Sequence, residues 1–232
     1  MIKNICWICG NPSETSEHRI KKSDLIMQFG KGPYRSCNAL LYFKNDKMSE
    51  LQGPNSTLVK YTKNLCFNCN NTLTQPFDKA YEHFIAWVMD NEIDVLKKRV
   101  IDFEAVYGIN WEEKQRNLFK YFVKCFGCRI DGIGRLVPFD IINLIRRETF
   151  DTALHVTFQV NEDMLLLKKE DQSIGTFPMI GEPENHLITD LGQYYCGHFY
   201  RWLKIIYWYN FIPLEPVGVS WVANSKFIYL NN

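Results

Sequence analysis

Cys6-Trp7-Ile8-Cys9-Gly10 and, well downstream, Leu65-Cys66-Phe67-Asn68-Cys69-Asn70-Asn71 are the stretches that decide how this chain reads. Each carries a Cys-x-x-Cys pair. Two such pairs supply four thiolates, the ligand count of a tetrahedral structural zinc site. Gly10 suits a tight knuckle that turns both thiols of the first pair toward one ion. The chain has 232 residues and eight cysteines. In a reducing compartment paired cysteines are read as metal ligands before they are read as disulfides. The start, Met1-Ile2-Lys3-Asn4-Ile5-Cys6-Trp7, lacks the apolar core of a secretory signal. No apolar run reaches the roughly 18 residues of a spanning helix. The expectation is a cytoplasmic protein with no membrane partner.

Working outward, hydrophobic residues make up 46% of the chain and aromatic residues 15%. That is enough for a buried core and excludes a disordered chain. The net charge of +1 conceals an asymmetry. Residues 1–72 hold ten Lys/Arg against five Asp/Glu, and the remainder holds seventeen against twenty-one. A basic segment around the paired cysteines suits a polyanionic partner.

Between the cysteine pairs lies Ser16-Glu17-His18-Arg19-Ile20-Lys21-Lys22. An imidazole is the usual general base near neutral pH. In an extended segment the preceding acid points to the opposite side. The ordered set of Cys-x-x-Cys, Glu-His-x-Ile and Leu-Cys-x-x-Cys-Asn-Asn resembles the zinc-containing HNH, or ββα-metal, endonucleases, in particular the recombination endonuclease VII pattern. The match covers about residues 4–80.

The resemblance implies a structural Zn²⁺ on Cys6, Cys9, Cys66 and Cys69. It implies that Glu17 and Asn70 bind a catalytic Mg²⁺ or Mn²⁺, and that His18 activates water. Asn71 and Asp78 are alternative metal-side residues, and Asn64 is a candidate for the middle Asn of the family pattern. A helix beginning near Cys69 would aim its amides at the anionic site. Duplex DNA is the expected substrate, with Arg19, Lys21, Lys22, Lys60 and Lys63 as phosphate contacts. RNA cleavage on the same scaffold and a non-catalytic zinc module that binds nucleic acid or protein are the alternatives. Glu where Asp is more usual, and a long stretch between residues 24 and 64, depart from the family pattern.

The expected fold is α+β: an N-terminal ββα-metal, treble-clef-like zinc module over 1–80, then 81–232 as a helical layer and a small, mostly antiparallel sheet serving target recognition or homodimerisation. Leu40–Phe43 reads as a strand. Helices are expected from Pro76, over about 94–106, over 111–128 and from Pro138 to Arg147. Strands are expected at 155–160, 164–167, 218–222 and 227–230, and 199–209 fits helix or strand. Cys125 and Cys128, with Cys196 and His198 as the spatial partners that could complete a site, read better as core. So does His83, and so does the aromatic cluster from Tyr194 to Tyr209. Cys37 reads as a loop thiol, and His186 shows no companions.

Overall fold

The first cysteine pair sits in a knuckle closed by an Ile5–Pro12 bridge, with the Cys6 amide donating to Asn11 (2.7 Å) and the Gly10 amide to Cys6 (2.8 Å). Gly10 takes φ +80°, where a side chain would be strained. This computed structural model describes residues 5–35, 39–44, 47–147, 151–180, 193–210, 221, 223 and 225–231. Cys37, His186 and nearly all of 218–222 lie outside the described residues.

Beyond the knuckle the chain runs extended and pairs antiparallel with the segment that leads into the second cysteine pair. The pairing rests on bridges Thr15–Leu65 and His18–Lys60. The Tyr61 amide donates to the Glu17 carbonyl at 2.9 Å, and the Arg19 amide to Val59 at 2.7 Å. Between these two extended segments sits an insertion. It holds α1 (Lys22–Phe29), the hairpin β1 (Leu40–Lys44) and β2 (Lys47–Leu51), and a 3₁₀ turn at Thr57–Val59. Leu25, Tyr34, Leu51 and Val59 give the insertion a small core of its own.

Cys69–Leu73 forms a π turn that runs into α2 (Gln75–Asp90). Pro76 stands in the first turn of α2, where its missing N–H costs nothing. Phe77, Ala80, Tyr81, Phe84, Ile85 and Val88 form the buried stripe. The single helix expected over 94–106 is three elements: α3 (Glu92–Lys98), β3 (Val100–Asp102) and α4 (Phe103–Tyr107). Arg99 breaks the helix by taking the left-handed conformation, φ 55°. α5 (Trp111–Gly132) and α6 (Phe139–Arg147) follow as expected, α5 extending four residues further than its apolar pattern suggests.

The sheet contains β4 (Leu154–Val160), β5 (Ile174–Ile180), β6 (Gln193–Tyr200), β7 (Leu203–Asn210) and β8 (Phe227–Asn231) together with β3. Its order is β3-β8-β4-β7-β6-β5, and among the described residues only the β4–β8 pair is parallel. The aromatic run expected as helix or strand is thus the β6–β7 hairpin, turned by Arg201 at φ 53°. Its density of Tyr and Ile favours the pleated, half-buried surface. Residues 164–167 are not a strand. Glu162–Leu165 form a short helix, α7, because the Met164 amide folds back to the Asn161 carbonyl and Leu166 stays in solvent.

The protein is therefore a mixed α+β chain with a mostly antiparallel sheet. α2 crosses the boundary expected at residue 80. One hydrophobic core runs from Trp7 and Leu65 through α2 and α5 to Phe158 and Tyr207 on the sheet. Among the described residues no helix is long and apolar enough to cross a membrane.

Candidate metal centre and adjoining cleft

The knuckle and the start of the π turn bring Cys6, Cys9, Cys66 and Cys69 together. Their four sulfurs lie within 4.8 Å of one another, and among the described residues this is the one group of three or more His, Cys, Asp or Glu so arranged. A tetrahedral ion with Zn–S bonds near 2.3 Å needs sulfurs about 3.8 Å apart, so modest closure suffices. Burial pushes the Cys6 and Cys69 thiols up. At Cys66 burial pushes the same way, but the Cys69 amide (3.4 Å) and the neighbouring thiols outweigh it and bring the group down. The cluster can hold a metal ion such as zinc.

Beside it opens a cleft of about 430 Å³. Glu17 and His18 reach it from the first extended segment, Lys21 and Lys22 from the entry to α1, Asn70 and Asn71 from the π turn, and Asp78 and Glu82 from α2. Glu17, His18, Asn70, Asn71 and Asp78 thus border one space, although about 50 residues separate the extended segment from the π turn and α2 that carry them. Asn64 does not. It is buried, and its backbone N–H donates to the Thr15 carbonyl at 3.1 Å within the extended pairing.

The Nε2 atom of His18 is shielded and makes no hydrogen bond among the described residues. Burial, and then the Lys60 and Lys21 charges, push the imidazole down to about 4. His18 is therefore neutral at physiological pH. The Asn70 carboxamide faces the cleft with no side-chain hydrogen bond among the described residues, whereas the Asn71 amide donates to Phe67 at 3.1 Å.

The carboxylates are not free. Asp78 Oδ1 accepts from Lys21 (2.6 Å) and from Lys124 (2.8 Å), and Lys124 also lies 3.3 Å from Glu17 Oε2. Lys21 Nζ stands 3.5 Å from Glu82. Lys124 belongs to α5 and its side chain is 0% exposed. Burial alone would depress its pKa, but the Glu17 and Asp78 charges overcome that and raise it. At Asp78 burial works against the charged form, and the Lys124 and Lys21 ammoniums outweigh it, holding the carboxyl below its ordinary value.

The expected phosphate contacts divide. Lys21 and Lys22 border the cleft. Arg19, Lys60 and Lys63 do not: the Arg19 guanidinium lies over the Tyr61 ring (4.1 Å) and donates from Nε to the Lys60 carbonyl. The amides that open the π turn are also engaged elsewhere. Cys69 N–H donates to Cys66 Sγ and Asn70 N–H to the Cys66 carbonyl (3.0 Å), and just before the turn Phe67 N–H donates to Glu14 at 3.2 Å, so they do not point at the cleft as anticipated.

Sequence reasoning missed Lys124. A lysine inside the apolar stripe Leu118, Tyr121, Phe122, Cys125 was the available signal, because a charge is buried there only with a partner. It also missed a second polar cluster behind His18. Tyr81 Oη donates to Asp24 (2.7 Å), His198 Nε2 stands 3.4 Å from Tyr81 Oη, and Tyr207 Oη stands 2.6 Å from His198 Nδ1. A consistent network has Tyr207 donating to Nδ1 and Nε2–H donating to Tyr81. His198 is thus no metal ligand, and burial pushes it down to about 3. Cys125, Cys128 and Cys196 are packed in the core, each thiol pushed up by burial. His83, expected in the core, is exposed on α2 with its ring edge-on to Tyr107.

Compared with known protein families, with curated proteins and with solved structures, the chain matches none.

Proposed function

We propose that this chain is a zinc-stapled, HNH-type endonuclease that hydrolyses phosphodiester bonds in duplex DNA. The observation that carries the reading is the convergence of Glu17, His18 and Asn70 on one cleft next to the four-cysteine cluster. The cysteines would hold a structural zinc, tying the first extended segment to the π turn and so fixing the distance between His18 and Asn70.

The donor set in the cleft fits a hard divalent cation such as Mg²⁺ or Mn²⁺. Glu17 and Asp78 offer carboxylate oxygens and Asn70 an unengaged carboxamide oxygen, and such ions take oxygen ligands while keeping several waters. When bound, the cation would supply charge stabilisation for the phosphate and the leaving oxygen. His18 is neutral and its Nε2 has no hydrogen-bond partner among the described residues; it would accept a proton from water once the ring turns that shielded atom toward the cleft. Lys22 and Lys21 place positive charge at the mouth, where a phosphate backbone would lie.

The rival reading, a non-catalytic zinc module, draws on the ion pairs. Salt-bridged Glu17 and Asp78 are what a purely structural cluster would also contain. The two readings separate in a side-by-side digest of supercoiled plasmid and total RNA with Mg²⁺ or Mn²⁺, with EDTA as control. Divalent-dependent nicking of the plasmid supports the DNA nuclease. Cleavage of RNA alone moves the activity to an RNase, and cleavage of neither leaves the binding module.

A further inference from the structure

Lys124 is an unusual neighbour for a cation site. Its ammonium touches Glu17 and Asp78, two of the three oxygen donors proposed above, and it comes from α5, far in sequence from the four clustered cysteines. Lys21 shares Asp78 and also meets Glu82. Three carboxylates thus face two ammoniums, and little net negative charge is left to attract a dication.

The two lysines are not equivalent. Lys21 is 12% exposed and stands at the cleft wall, so it can swing toward a phosphate. Lys124 is 0% exposed, packed by Tyr121 with its ammonium 5.6 Å from the ring centroid, and has no water to retreat into. Its charge stays in place when a cation arrives. Burying it is costly unless both carboxylates stay close, so it also fixes their orientation.

Resting on the nuclease reading, we infer that Lys124 is a positioning residue that pre-neutralises Glu17 and Asp78, so that a divalent cation binds this cleft tightly only together with the anionic phosphodiester backbone. The missing negative charge is supplied by the substrate. The consequence is reciprocal: whatever factor the duplex adds to cation affinity, the cation adds to duplex affinity. A fixed unit charge a few ångströms from a dication changes its affinity on the order of tenfold even in a water-like dielectric.

The test uses the zinc-loaded full chain carrying His18→Ala, which keeps the duplex uncut. Mn²⁺ binding is followed by electron paramagnetic resonance, alone and with a 20-base-pair duplex, after subtraction of the Mn²⁺ the duplex itself takes up. The expected result is at least tenfold tighter Mn²⁺ binding with the duplex, and the same factor in duplex affinity measured by anisotropy with and without Mn²⁺. Adding Lys124→Met should tighten duplex-free Mn²⁺ binding about tenfold, with zinc content and circular dichroism confirming the fold. Equally tight Mn²⁺ binding with and without the duplex overturns the inference and leaves the nuclease reading standing. Synergy that survives unchanged in Lys124→Met removes the role from Lys124. Absence of Mn²⁺ binding in both states overturns the nuclease reading itself. The wild-type Lys124 comparison stands even if the substituted chain fails to fold.

Discussion

Asp24 gives a sharp test of the polar cluster that joins α1, α2 and the sheet. Its carboxyl is buried and accepts the Tyr81 hydroxyl at 2.7 Å. Burial raises its pKa from the ordinary 3.8 to about 7, the Tyr81 bond and Lys21 opposing that shift and Glu82 adding to it. A folded-state value above the unfolded one means that the unfolded chain gives up its proton first. The stability from this group is fully present below pH 3.8 and is lost as pH rises toward 7. The gap corresponds to about 4 kcal/mol in total, of which about 3 kcal/mol falls between pH 5 and pH 8. Asp24→Asn keeps an acceptor for Tyr81 and does not titrate. Relative to the wild type, the variant should gain about 3 kcal/mol between pH 5 and pH 8, read from urea unfolding midpoints at each pH. The low value of His198 acts in the opposite sense, but it is common to both chains and cancels in the difference. A difference between wild type and Asp24→Asn that is the same at both pH values would refute the burial of an ionisable carboxyl at this position.

Gly127 lies inside α5, where alanine would ordinarily add about 1 kcal/mol of helix stability. A Cβ there would stand 2.5 Å from the Trp7 ring, which is wedged between the knuckle and α5. Overpacking of that kind costs about 1–3 kcal/mol, so Gly127→Ala should lower the urea midpoint, and a raised midpoint would show that the knuckle does not rest on this helix. Cys66→Ser should cut zinc from one equivalent per chain to a small fraction by elemental analysis and should loosen protease resistance at residues 5–20; full zinc retention would remove Cys66 from the cluster. Gly197→Ala would drive a Cβ into the Ile205 carbonyl oxygen across the β6–β7 hairpin. Because backbone cannot step aside as a side chain can, soluble yield and melting temperature should fall further than for Gly127→Ala, and a wild-type melting temperature would argue against this register.

How much of this was legible in the residues depended on range. The cysteine cluster was, because two of the three Cys-x-x-Cys pairs fall in the polar, turn-rich N-terminal third, whereas Cys125 and Cys128 fall inside an apolar helical stripe. The gathering of Glu17, His18 and Asn70 on one cleft followed from the same pattern, since two knuckles sharing an ion must draw their flanking segments together. Arg99 was not legible as a break, because the apolar period continues through it and the left-handed turn is imposed by β3 pairing with β8. α1 went unnoticed, its eight residues being too few for a clear stripe. The β6–β7 hairpin was ambiguous because aromatic residues stand on both faces, Tyr194, Tyr200, Tyr207 and Tyr209 buried on one and Tyr195, Phe199 and Trp208 half-buried on the other, so the apolar–polar alternation of a half-exposed strand is missing. Lys124 was hidden for a different reason: its partners lie far away in sequence, and only the packing of α5 against α2 and the first extended segment brings them within reach.

The same distance in sequence makes the cleft a joint product of two regions. The basic, cysteine-bearing segment contributes the imidazole and the amide, and the helical layer contributes the charge that holds the acids. Substitution of Lys124 should therefore alter the cleft while leaving the zinc content untouched.

Supercoiled plasmid nicking by the zinc-loaded full chain in Mg²⁺ or Mn²⁺, wild type against His18→Ala, bears most directly on the proposed chemistry. Removal of a general base costs roughly 10²–10⁴ in rate, so the variant should nick several hundredfold more slowly or worse while retaining one zinc per chain. Equal nicking by the two proteins, or no nicking by the wild type with either cation, would contradict the account.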